Sequence, residues 1–248
     1  LPPLRAGSQY RFRAMIKPVG SLCNLDCAYC YYLPKEELLG HPRSPRMSDE
    51  MLERHIKQFI EAQTADEVIF SWQGGEPTLL GLDFFRTVVA LQARYKKPHQ
   101  RIENDLQTNG TLLDAEWAVF LKQHRFLVGL SCDGPAQLHD LYRVSKGGQP
   151  THAKVMAAAR LLTQHGVPFN ALCVVNRENA KYPLDVYRFL TRELGAQQVQ
   201  LIACVEPRCF GQTRQASPEA ADAPAVMEWS VTPEDWGRFL CKVWDDWR

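Results

Sequence analysis

Short apolar runs alternate along this chain with stretches of helical period. Residues 11–16 alternate in polarity and lead into a cysteine-rich loop. Residues 67–72 (EVIFSW), 102–107, 126–131 (FLVGLS), 167–175 and 198–202 read as five further strands. Helical segments lie between them. Over 47–64, Met51, Leu52, Ile56, Phe59 and Ile60 fall on one face, Ser48 can cap the segment, and Asp49 and Glu50 suit its first turn. Residues 82–95, a segment capped by Asp114, 152–165 and 183–194 complete the set, with Gly166 and Gly195 ending the last two. Strict alternation of strand and helix predicts six parallel strands joined by right-handed crossovers. After Cys204 the pattern breaks. Residues 212–225 are rich in Ala, Pro and Ser and read as a flexible loop. A last helix over 233–247 carries Trp236, Phe239, Leu240, Val243 and Trp244, with Trp236 and Trp244 expected to be exposed.

Parallel α/β architecture collects chemistry at the carboxyl ends of its strands. The segments richest in Cys, Gly and small polar residues fall there. They are Cys23–Cys30 after the first strand, Gln73-Gly74-Gly75-Glu76-Pro77 after the second, Gln107-Thr108-Asn109-Gly110 after the third, and Ser131-Cys132-Asp133-Gly134-Pro135 after the fourth. They are expected to line one mouth.

At 248 residues the chain can bury a full core without disulfides. Its formal net charge of +1 offers no electrostatic footprint for nucleic acid. No run approaches the roughly 20 apolar residues of a membrane span, and residues 1–20 lack an apolar signal core. A cytoplasmic protein that engages neither membrane nor nucleic acid is expected. In that setting the eight cysteines read as metal ligands or buried thiols.

Three of those cysteines stand in the spacing C-x3-C-x2-C: Cys23, Cys27 and Cys30. Three thiolates on one loop can each take one iron of a cubane and leave the fourth iron open to a substrate. A zinc site is the competing reading, but zinc wants a fourth ligand, and His41 is too isolated to supply one. At Gly74-Gly75-Glu76 two glycines allow close backbone approach to a ligand and Glu76 offers a carboxylate to a cation; a plain tight turn is the alternative. Asn109-Gly110 alone is a common turn, and Arg143 alone could be a solvated charge.

The loop, with Tyr29 as its aromatic, resembles the C-x3-C-x-aromatic-C signature of the radical S-adenosylmethionine superfamily. That resemblance implies an α/β fold, a partial (β/α)6 TIM-like barrel, which agrees with the six units read above. It implies a [4Fe–4S] cluster on Cys23, Cys27 and Cys30 that reductively cleaves S-adenosyl-L-methionine to a 5′-deoxyadenosyl radical. It further implies cosubstrate contacts from Tyr29, Gly74, Gly75, Glu76, Ser131 and Arg143, and from Leu201 against the adenine. The segments CNLDCAYCYYL, FSWQGGEPTLLG, LQTNGTLLD, LSCDGPAQLHDLYR and VQLIACVE resemble anaerobic sulfatase-maturating enzymes. By that resemblance Tyr32 and Gln73 face a sulfatase polypeptide whose Cys or Ser becomes formylglycine, and flavodoxin or ferredoxin donates electrons. Residues 1–206 are expected to be the barrel. Residues 207–248 are expected to be a loop and C-terminal helix leading toward an absent cysteine-rich domain with auxiliary [4Fe–4S] clusters and the general acid, so no catalytic residue is assigned here. Another peptide-modifying maturase, such as a thioether-forming one, is the alternative, and a zinc-binding interaction module is a more distant one.

Overall fold

The computed structural model describes residues 11–30, 32, 46–208 and 226–248. His41, Cys209 and the loop expected over 212–225 lie outside the described residues. Six strands form one parallel sheet: β1 (Met15–Ile16), β2 (Glu67–Trp72), β3 (Arg101–Thr108), β4 (Leu127–Ser131), β5 (Phe169–Val175) and β6 (Val199–Ala203). They lie in sequence order, with β1 and β6 at the two edges, so the barrel is open. This is the partial (β/α)6 arrangement.

Helices α1 (Asp49–Ala62), α2 (Leu82–Tyr95), α3 (Ala115–Gln123), α4 (Ala136–His139), α5 (His152–Gln164), α6 (Pro183–Arg188) and α7 (Pro233–Trp247) connect or flank the strands. Their caps follow local chemistry. The Ser48 hydroxyl accepts from Met51 N–H, and the Asp114 carboxylate accepts from Trp117 N–H.

Strand alternation gives the sheet two different faces. Val68, Phe70 and Trp72 of β2, Leu106 of β3, Val128 and Leu130 of β4, and Ala171, Cys173 and Val175 of β5 are fully buried in the main core. Phe70 packs on Phe59 of α1 at 4.8 Å, and Trp72 meets Phe84 and Phe85 of α2. This face is therefore the helical one. Each such large side chain contributes roughly 1.5–3 kcal/mol through its burial. The opposite face carries Ser71, Asp105, Gln107, Gly129, Ser131, Asn170 and Val174, and Val174 packs against the cysteine loop. The polar face is thus the one on which chemistry can occur.

Three elements differ from expectation. The first strand is two residues long instead of 11–16, because only Met15 and Ile16 find partners, at the far end of β2 (Ser71 and Trp72). The helix expected over 183–194 widens into a π turn at Phe189–Glu193, where Leu194 N–H bonds to the Phe189 carbonyl. In α7, Trp236 is half-buried on Phe239, which is fully buried, whereas Trp244 is 56% exposed. Arg188 of α6 pairs with Asp246 of α7 and ties that helix to the barrel.

Candidate functional site

The cysteine loop is strapped down by backbone hydrogen bonds. Asp26 N–H donates to the Val144 carbonyl and Ala28 N–H to that of Tyr142. The loop thereby lies along the segment that carries Arg143. Leu25, Cys27 and Tyr29 turn inward and pack with Cys204, while Cys23 and Cys30 stay half-buried at the mouth.

Burial pushes the Cys27 thiol up to about 12, against the opposing pull of Arg143. Burial also raises the Cys23 thiol, against the Leu25 N–H bonded to its sulfur at 3.4 Å. Metal loading must displace these protons. Three soft sulfurs on one strapped loop fit a [4Fe–4S] cluster, whose ligands sit on separate irons.

The glycine pair packs on this loop. Gly75 has φ +47°, and a Cβ there would stand 2.0 Å from the Leu22 carbonyl oxygen. Gly74 has φ +82°, and its Cβ would fall 2.4 Å from Cγ of Lys17. Both glycines let the turn after β2 press against the segment that launches Cys23. Glu76 N–H donates to the same Leu22 carbonyl at 2.8 Å.

Glu76 is buried, 1% exposed, and its carboxylate is closely held. Oε1 accepts from Thr78 N–H at 3.1 Å, Thr78 Oγ1 at 2.6 Å and Thr108 Oγ1 at 2.8 Å; Oε2 accepts from Asn109 N–H at 2.7 Å. Burial pushes this carboxyl up, against those four donors. A buried carboxylate with one oxygen less subscribed than the other can still receive a cation.

Asn109, which looks in sequence like an ordinary turn residue, joins the two clusters. Its Nδ2 donates to Asn24 Oδ1 at 2.8 Å and to Cys23 Sγ at 3.7 Å. Asp133, in sequence an ordinary strand-end aspartate, is a second such residue. Its Oδ2 accepts the Tyr29 hydroxyl and, at 3.0 Å, Nε of Arg143; its Oδ1 accepts Val174 N–H at 2.9 Å. The guanidinium of Arg143 lies 5.6 Å from the centre of the Tyr29 ring. Arg143 is therefore a buried, paired cation behind the cysteine loop, with none of the freedom of a solvated charge. The strand-end pattern Ser131-Cys132-Asp133 was the available signal for Asp133.

Ser131 is buried at the end of β4 on the polar face. The side chain of Leu201, expected against the adenine, is on the helical side of β6. Its register partner is Cys173, fully buried on the helical side, and Leu201 lines an 840 Å³ apolar cavity with Tyr187, Leu240 and Trp244. Strand alternation puts Ile202, partner of Val174, on the polar face instead. Tyr32 and Gln73 come to one edge of the mouth. Gln73 N–H bonds to the Ile16 carbonyl, and Lys17, whose stem crosses Gly74, holds its ammonium 4.4 Å from the Tyr32 ring centre.

Residues 18–190 match the model of the Radical SAM superfamily. A serine-type anaerobic sulfatase-maturating enzyme of Bacteroides thetaiotaomicron is 43% identical over 235 residues, 94% of this chain and 56% of that relative. A cysteine-type anaerobic sulfatase-maturating enzyme of Clostridium perfringens is 37% identical over 233 residues, 94% of this chain and 59% of that relative. Among solved structures, native anSMEcpe with bound AdoMet superposes with a TM-score of 0.80 at 37% identity, covering 94% of this chain and 60% of the other. The chain thus spans little more than half the length of these relatives.

Proposed function

Because this chain belongs to the Radical SAM superfamily, we propose that it is the S-adenosylmethionine-cleaving part of an anaerobic sulfatase-maturating enzyme. The single observation that carries this reading is the convergence of three loops. The cysteines, the Gly74-Gly75-Glu76 turn and the Asn109 turn are joined through Leu22, Glu76 and Cys23 at one mouth. A cluster on Cys23, Cys27 and Cys30 would supply the electron that breaks the C5′–S bond of S-adenosylmethionine, and the resulting radical would take a hydrogen atom from the substrate.

The protein's part is positioning. Glu76 would take the methionine ammonium on its less subscribed oxygen. Tyr29 and Arg143, both fixed by Asp133, back the loop at Cys27. Ser131 would stand at the ribose, and Tyr32 and Gln73 would meet the polypeptide at the β1–β2 edge. The substrate would be a sulfatase Cys or Ser converted to formylglycine. Residues 1–206 would form the barrel unit and 207–248 would lead toward a further domain. The auxiliary [4Fe–4S] clusters, which would take up the second electron, and an acidic residue whose carboxylate would take up the proton as a base, are assigned to that domain. Flavodoxin or ferredoxin would be the donor.

The test is anaerobic incubation of cluster-loaded protein with S-adenosylmethionine, dithionite and a sulfatase-derived Cys or Ser peptide, run beside a full-length sulfatase-maturating relative. The chain is expected to form 5′-deoxyadenosine with little aldehyde, and the relative to form both, by mass spectrometry. Absence of 5′-deoxyadenosine from loaded protein would overturn the reading.

A further inference from the structure

Asn109 has an orientation that its neighbours dictate. Its Oδ1 accepts from Thr111 N–H at 3.0 Å and from Thr111 Oγ1 at 2.7 Å. An amide nitrogen in that place would face the Thr111 N–H, a fixed donor, so Nδ2 must point the other way. There it meets Asn24 Oδ1 and Cys23 Sγ. Asn24 Nδ2 closes the ring by donating to Thr111 Oγ1 at 2.9 Å. The backbone of Asn109 is pinned by Glu76, which accepts its N–H. Asn109 is 7% exposed, so neither contact is a chance surface encounter.

We propose that Asn109 is a positioning residue that sets the reduction potential of the cluster by donating a side-chain N–H to the Cys23 sulfur. The physical ground is general. Reduction adds negative charge to a cluster and its thiolates, and an N–H aimed at a sulfur stabilises the more negative state, raising the potential. The Leu25 N–H, at 3.4 Å from the same sulfur, acts in the same sense but belongs to the loop itself. Asn109 comes from the turn after β3, far from the loop in sequence. It therefore also links Cys23 to Glu76 through one residue.

This inference rests on the proposed ligation of a cluster by Cys23. The experiment is an EPR-monitored redox titration of anaerobically reconstituted wild type, Asn109→Asp, Asn109→Ala and Asn109→Gln, with iron counted in each. Asn109→Asp replaces the donor by a negative charge and is expected to lower the potential most. Asn109→Ala should lower it less. Asn109→Gln, which keeps the amide, should recover part of the loss. All four are expected to carry the same iron. Wild type without a four-iron cluster would sink the ligation itself. Wild type with the cluster, but with variants at an unmoved potential, would sink only the role of Asn109. Loss of iron in all three variants would also overturn it, because Asn109 would then be building the loop instead of tuning a formed cluster.

Discussion

Tyr29, set between two cysteines of the loop, donates its hydroxyl to Asp133, 104 positions further along the chain. Asp133 holds Arg143 and the Val174 N–H at the same time. One carboxylate thus ties the cysteine loop, β5 and the Arg143 segment together. Asp133→Ala would leave the Arg143 cation buried without its partner, which typically costs about 3–5 kcal/mol. Tyr29→Phe removes only one of the three donors and is expected to cost about 1–2 kcal/mol. Urea midpoints of the metal-free protein should rank the two variants in that order.

His139 provides a pH dependence. It is fully buried, its Nδ1 accepts Asp133 N–H, and its Nε2 stands 3.1 Å from Thr151 Oγ1, so the imidazole is held neutral. Burial lowers it to about 4 from an ordinary 6.5. Below 6.5 the unfolded chain binds a proton that the folded protein refuses. Stability is therefore complete above 6.5, falls as pH drops, and stops falling near 4, a loss of roughly 3 kcal/mol from this residue. Denaturation curves between pH 7 and 4 should show that loss, and His139→Gln should flatten it.

The two glycines Gly75 and Gly81 separate steric from conformational cost. Both have positive φ, but a Cβ on Gly81 meets nothing within 4 Å, whereas one on Gly75 collides with the Leu22 backbone. Gly81, at φ +77° and ψ 167°, occupies a region essentially confined to glycine, so Gly81→Ala is expected to lose about 1–3 kcal/mol and keep full iron uptake. Gly75→Ala should displace the segment before Cys23 and cut iron uptake well below wild type. Equal iron content in the two variants would contradict the packing described.

Glu76→Gln keeps the shape of a buried side chain but removes its charge. Charge-assisted bonds contribute about 1.5–3 kcal/mol, so binding of S-adenosylmethionine is expected to weaken by about ten- to a hundredfold. Isothermal titration with the loaded protein measures it. An unchanged dissociation constant would mean that Glu76 serves only Thr78, Thr108 and Asn109.

Cys27→Ala and Cys173→Ala test the two faces of the sheet. Cys27 lies in the loop cluster, and Cys173 is sealed on the helical side. Anaerobic reconstitution should give no cluster in the first and about four irons in the second, the content of a cubane.

The order of strands and helices was legible in the sequence because hydrophobic period is a local property, and so were the caps at Ser48 and Asp114. The cysteine triad was legible because its ligands share one short loop. Gly74-Gly75 could be read as a close approach, but not as an approach to Leu22, since that contact joins segments some fifty positions apart. The face that Leu201 presents was not legible, because a strand's alternation shows two faces without showing which one meets helices; the register with Cys173 decided that. Asn109 and Asp133 were invisible as site residues for a related reason. A turn asparagine and a strand-end aspartate are common in any chain. Only folding brings Asn109 to the Cys23 sulfur and Asp133 to the Tyr29 hydroxyl, because hydrogen bonds act over about 3 Å of space and are indifferent to distance along the sequence.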